Sequence, residues 1–144
     1  MIVKLFFKEY EANVTFGACR EFHDKTGLDL KLTLDLALNA YAVNQQERLI
    51  ERAIGWHGVI GDVVGADLLH AVLRETDGSR VQLAEIEDAM INAGRTPIDL
   101  ADEWSMPWFF TVVQIAENER AQHIDKVKKK RQPASLANST DPQK

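Results

Sequence analysis

Apolar residues along this chain recur mostly at three-to-four spacing, the period of an amphipathic helix. The first exception is IVKLFF near the start. It is β-branched and aromatic, and predicts one short strand at residues 2–7. KEYEAN then reads as a polar turn. NVTFGACREFHDKTG reads as the first helix, with Asn13 or Thr15 as its cap and Gly27 as its left-handed terminator. Phe16, Cys19, Phe22 and Thr26 fall on one face of it.

GLDLKLTLDLALNAY sets two rules against each other. Leucine occupies positions 28, 30, 32, 34, 36 and 38, the alternation of a half-buried strand. Leucine and alanine, however, form helices readily and strands poorly, and no strand of matching length follows. The segment therefore predicts a helix beginning between Asp29 and Thr33. At 100° per residue the leucines divide into two stripes on opposite sides. One holds Leu28, Leu32 and Leu36. The other holds Leu30, Leu34, Leu38 and Tyr41. One stripe can serve the chain's own core, and the other then needs a second cover.

The stretch after it carries Gly55, Gly58, Gly61 and Gly65. An interior glycine costs a helix about 1 kcal/mol relative to alanine, so one helix is expected to end near 58–61 and another to run from Asp62 to Glu75. TDGSR is a turn. VQLAEIEDAMINAG predicts a helix at 82–93, closed by Gly94. RTPIDLADEW reads as a loop. The last helix is capped by Ser105, admits Pro107 in its first turn, and runs to about Lys129. Its face through Trp108, Val112, Ile115, Glu119 and Gln122 turns polar after Ala116. QPASLANSTDPQK has the composition of a disordered tail. The expected architecture is mainly α: one helical domain of five to six helices at 1–131, a short N-terminal strand or arm, and a disordered tail at 132–144.

Composition narrows the function classes. The chain has 144 residues, 45% of them hydrophobic and 27% charged, a globular balance. No apolar run approaches the roughly 20 residues of a membrane span, and the apolar start is too short for a secretory leader. The single cysteine, Cys19, excludes a disulfide framework. Cytoplasmic residence follows as the expectation. Net charge is −5 overall, but residues 120–144 carry +5 and the remainder −10. An acidic body argues against nucleic acid as the main partner. The basic KVKKKRQ reads first as a helix end suited to its dipole.

Candidate chemistry is sparse. Cys19 and His23 are four residues apart, but Cys19 sits on an apolar face, where cysteine usually packs. His57, His70 and His123 have no ligand-like spacing. The glycines lack the Gly-Lys-Ser/Thr of a phosphate loop. TDGSR fails as a calcium loop, because Arg80 and Ala84 stand where a hydrophobe and a bidentate carboxylate are required. VQLAEIEDAMINAGRTP has the helix-turn character of a small DNA-binding regulator, the alternative reading, but Glu85, Glu87 and Asp88 would repel phosphates. No catalytic residue, cofactor or metal is expected, and the chain is not expected to be an enzyme. Trp104, Met106, Trp108, Phe109 and Phe110 form the densest aromatic cluster, either a sealed core corner or a partner groove.

Two blocks resemble a known family. VTFGACREFHDKTGLDL, after a short strand, is similar to the opening of tail assembly chaperones of long-tailed bacteriophages and their gene-transfer-agent relatives. LLHAVLRETDGSRVQLAEIEDAM resembles the helix, Asp-Gly turn and following helix of the same proteins. Together the blocks cover roughly residues 3–38 and 66–92. The resemblance implies a cytoplasmic interaction protein of the bacterial host. It would bind the tape measure protein, help recruit tail tube subunits, and be absent from the mature virion. It also implies a longer form made by ribosomal frameshifting, for which the codons of Lys128–Lys130 would supply a slippery run. A homo-oligomer is expected. The partner-binding residues expected are Leu30, Leu34, Leu38, Tyr41, Trp104, Trp108 and Phe109.

Overall fold

The structure, a computed structural model, describes residues 1–5, 8–43, 55–56, 58–92 and 107–139, with backbone alone for 92, 107 and 131–139. It is mainly helical, with a small antiparallel sheet at the N-terminal end. Strands β1 (Ile2–Leu5), β2 (Lys8–Ala12) and β3 (Leu73–Arg74) are joined in that spatial order. Helices α1 (Phe16–Thr26), α2 (Leu30–Val43), α3 (Asp62–Val72), α4 (Leu83–Asn92) and α5 (Pro107–Ser139) make up the rest of the named elements.

KEYEA, expected as a turn, is the central strand of the sheet. Val3 faces Tyr10 and Leu5 faces Lys8 across β1–β2, and Ala12 faces Leu73 across β2–β3. Val3, Leu5, Tyr10, Ala12 and Leu73 are all buried, so one side of the sheet belongs to the core. The strand buries only Tyr10 and Ala12 among charged neighbours. Its period of two is real but short, and side-chain type alone reads as polar. Leu73–Arg74 likewise leaves the expected helix at Val72, because its backbone pairs with β2. The Lys4 carbonyl of β1 accepts a hydrogen bond from the Thr111 hydroxyl of α5 at 2.8 Å.

Local signals set several boundaries. Thr15 caps α1 by accepting from the Ala18 amide at 3.0 Å, and Gly27 closes it at φ 75°. Asp29 caps α2 by accepting from the Leu32 amide at 2.8 Å. Between β3 and α4, Gly78 adopts φ 90° in a turn whose Asp77 carboxylate accepts from the Ser79 amide and hydroxyl. Helical backbone of α5 continues past the end expected near Lys129, to Ser139, overlapping the segment expected as a tail. Gly94, Ser105, the loop at 95–104 and residues 44–54 lie outside the described residues.

Helix α2 packs along the first half of α5, α1 packs on α3 and α2, and α3 packs on α4. The core runs continuously from the sheet through Phe22, Leu30, Leu34, Trp56, Leu68, Leu69 and Ile86 to Phe109 and Val112. Gly65 marks the close approach of α3 and α5. A Cβ there would lie 2.6 Å from Cη2 of Trp108. One of the four glycines is thus a packing glycine.

Candidate partner-binding surfaces

The leucines of α2 take their places from two helices. Leu30, Leu34, Ala37 and Leu38 are buried on the side where α5 docks. Further along, Tyr41 is half-buried and meets Phe110 edge to face at 5.7 Å and Trp56 at 5.9 Å. Trp56 stacks on Phe109 at 4.9 Å with planes 7° apart. Trp108 and Phe109 are buried. The expected partner-binding residues Leu30, Leu34, Leu38, Trp108 and Phe109 therefore line one interior seam. Trp104 lies outside the described residues. Met106 does as well, and the described part of the aromatic cluster, Trp108 to Phe110, forms a core corner between α2, α5 and the helical turn at Trp56. Phe110, 40% exposed, is its outward member.

The exposed apolar residues lie half a turn around the helix axis from the buried leucines. Leu32 is 57% exposed and Leu36 49% exposed, with Leu28 at 42% just before the helix begins. Val43 continues the same side and is exposed. Leu32, Leu36, Asn39 and Val43 follow a four-three-four spacing, the seam of two packed helices. Lys31 and Asp35, both exposed, border the seam on one edge. Asp35 also faces Arg120 of α5 at 3.6 Å. This stripe can accept an apolar helix face without opening the core. The Leu30–Leu38 stripe cannot.

Phe16, expected on the buried face of α1, is exposed and lies under the Arg20 guanidinium at 5.1 Å. Ala18 and Phe22 do the burying instead. A second apolar surface, not singled out by sequence, is a groove of about 270 Å³ between α3 and α4, lined by Asp62, Val63, Ala66, Glu87, Met90 and Ile91. Nothing local in the sequence says that Val63 and Ile91, on different helices, share a groove.

Two polar clusters brace the frame. Lys8 pairs with Glu75 at 2.9 Å and Glu85 at 3.1 Å, and the Tyr10 hydroxyl donates to Glu85 at 2.6 Å. Burial, then the Glu85 carboxylate, push the Tyr10 phenol far above its ordinary range. The Tyr10 hydrogen bond and the Lys8 ammonium hold Glu85 low against its desolvation. On the other side, Arg80 pairs with Glu21 and donates to His70, which also meets Lys25 at 3.1 Å. Burial, then the Arg80 and Lys25 charges, lower His70. Both clusters tie the turn around Gly78 to α1 or the sheet, which is a positioning role.

Burial pushes the Cys19 thiol up, away from the thiolate a nucleophile needs, and His23 is exposed beside it. Among the described residues no group of three or more His, Cys, Asp or Glu is placed to hold a metal ion. Nor is any helix among them long and apolar enough to cross a membrane. Comparison with family models, curated proteins and solved structures finds no match to the chain.

Proposed function

We propose that this protein is an assembly chaperone that holds an amphipathic helical client against the Leu28–Leu32–Leu36 stripe of α2. The observation that carries the reading is that Leu28, Leu32 and Leu36 stay exposed while the opposite leucine stripe of the same segment is buried in the core. Apolar helix faces of that kind recognise helices through anchors at three-to-four spacing, and monomeric proteins rarely expose contiguous apolar stripes without use. The two sequence blocks that resemble tail assembly chaperones of long-tailed phages give the client an identity. It is the tape measure protein, a long helical chain that must stay soluble while tail tube subunits gather on it. On this reading the protein acts in the host cytoplasm and leaves before the virion matures. On the same reading the codons of Lys128–Lys130 would supply a slippery run for a frameshifted longer form, and a gene with no slippery heptamer at codons 126–132 and no overlapping downstream frame contradicts that part.

Co-expression with the tape measure protein of the same genome tests the proposal. Wild-type protein is expected to co-purify with it. Leu32→Glu with Leu36→Glu is expected to lose the client at least tenfold, since each charge would enter an apolar contact. The same variant keeps its helical circular dichroism, because both side chains already face water. Undiminished client capture by the folded double variant contradicts the proposed surface. A genome without a tape measure gene nearby contradicts the phage assignment but leaves the helix-binding surface standing.

A further inference from the structure

The charge of this protein is divided by place as well as by sign. Beyond Ala116, where the core contacts of α5 end, the helix is largely exposed as far as side chains are described, to Lys130. At 33 residues, α5 is about 50 Å long, and its buried side chains, among those described, all lie between Trp108 and Ala116. This arm carries Lys126, Lys128, Lys129 and Lys130, and it keeps an apolar edge. Ile124 is 45% exposed, and Val127, three residues on, is half-buried. A helix with solvated lysines and an uncovered isoleucine gains little from its own fold and is suited to lie against another surface.

The α3–α4 groove has the complementary character. Val63 is 76% exposed and Ile91 56% exposed over a floor that includes Ala66 and Met90. Asp62 stands at one rim and Glu87 at the other. Asp88, next to Glu87, is exposed as well. A helix laid between two others buries its apolar edge in the floor and brings its flanking charges to the rims. Acidic rims select a basic occupant, and the arm is the basic segment of this chain, +5 over residues 120–144 against −10 elsewhere.

We infer that the basic arm of α5 from one copy docks into the acid-rimmed α3–α4 groove of a second copy. Ile124 and Val127 enter the floor, and Lys126 and Lys128–Lys130 meet Asp62, Glu87 and Asp88. Donor and acceptor are different surfaces, so the contact is head-to-tail. It propagates into chains or a ring rather than stopping at a dimer. It involves none of Leu28, Leu32 and Leu36, so it stands or falls independently of the chaperone reading.

Sedimentation velocity on the full chain tests this. Wild-type protein is expected to form species larger than a dimer as concentration rises at about 0.01 M salt, and to lose them at about 1 M, where screening shortens to about 3 Å. Lys128→Glu, Lys129→Glu and Lys130→Glu together should raise the concentration needed by about tenfold or more. Asp62→Lys with Glu87→Lys should do the same, and the two sets combined should restore association. Val63→Glu with Ile91→Glu should abolish it at any salt. All these positions are exposed, so the variants remain folded. A wild-type protein that stays monomeric at low salt overturns the inference, as does association insensitive to the arm. Arm reversal that no groove reversal rescues, with loss of binding to a labelled single-stranded RNA instead, also overturns it and assigns the arm to nucleic acid.

Discussion

Tyr10 shows how much of this fold rests on single polar contacts. Its ring is buried in the sheet face while its hydroxyl donates to Glu85 of α4 at 2.6 Å, tying the sheet to α4. A hydrogen bond to a charged group is worth about 1.5–3 kcal/mol, reduced here because the Glu85 side chain is 41% exposed. Tyr10→Phe is therefore expected to cost about 1 kcal/mol at neutral pH, read as a lower denaturant midpoint. The pH profile of the same pair has a fixed sign. The folded phenol titrates far above its ordinary 10.0. Stability is thus complete below about pH 10 and falls as pH rises beyond it, since only the unfolded chain releases its proton there. Tyr10→Phe should flatten that alkaline limb. His70 acts at the other end. Its folded pKa lies below the ordinary 6.5, so the unfolded chain takes up the proton first and stability falls as pH drops below about 6.5. His70→Gln should remove that part of the acid loss, and an unchanged acid limb in the variant would contradict the assignment.

At the scale of elements, the close crossing of α3 and α5 is fixed by one absent side chain. Gly65→Ala would gain about 1 kcal/mol of helix propensity. It would also drive a methyl to within 2.6 Å of the Trp108 ring. Overpacking of that kind costs about 1–3 kcal/mol, so the expected result is a net loss of about 1 kcal/mol. A more stable Gly65→Ala protein would show that the helices part easily. The helices themselves were legible because their caps are local. Thr15, Gly27 and the turn at Gly78 all sit where sequence placed them. The strand β2 was not legible, since KEYEA joins the sheet through backbone pairing with distant residues and shows only two buried side chains. The same limit applies to the leucines of α2. Sequence could establish two stripes, but the choice between them depends on where α5 docks, some seventy positions along the chain. Trp108 and Phe109 were readable as anchors, and their burial makes them anchors of the core.

Among the described residues the molecule carries two uncovered apolar surfaces on different helices, and its charge is divided. Leu32 and Leu36 of α2, with Leu28 just before it, form an exposed seam opposite the buried Leu30, Leu34 and Leu38. Val63 and Ile91 form an acid-rimmed groove that suits the basic arm of another copy. The two contacts separate by their dependence on salt, because only the second is built on opposed charges. An oligomer that assembles through one surface while holding a helical client on the other would present several client seams side by side. Client affinity should then rise with oligomer size, as linked sites bind more tightly than single ones. On the proposed function the client lies along the seam around Leu36. A photo-reactive phenylalanine analogue at position 36, with a control at the exposed position 24 of α1, measures it most directly in the co-purified complex. A covalent adduct with the client is expected from position 36 and none from position 24. A bound client that cross-links from position 24 and not from position 36 would contradict the proposed function.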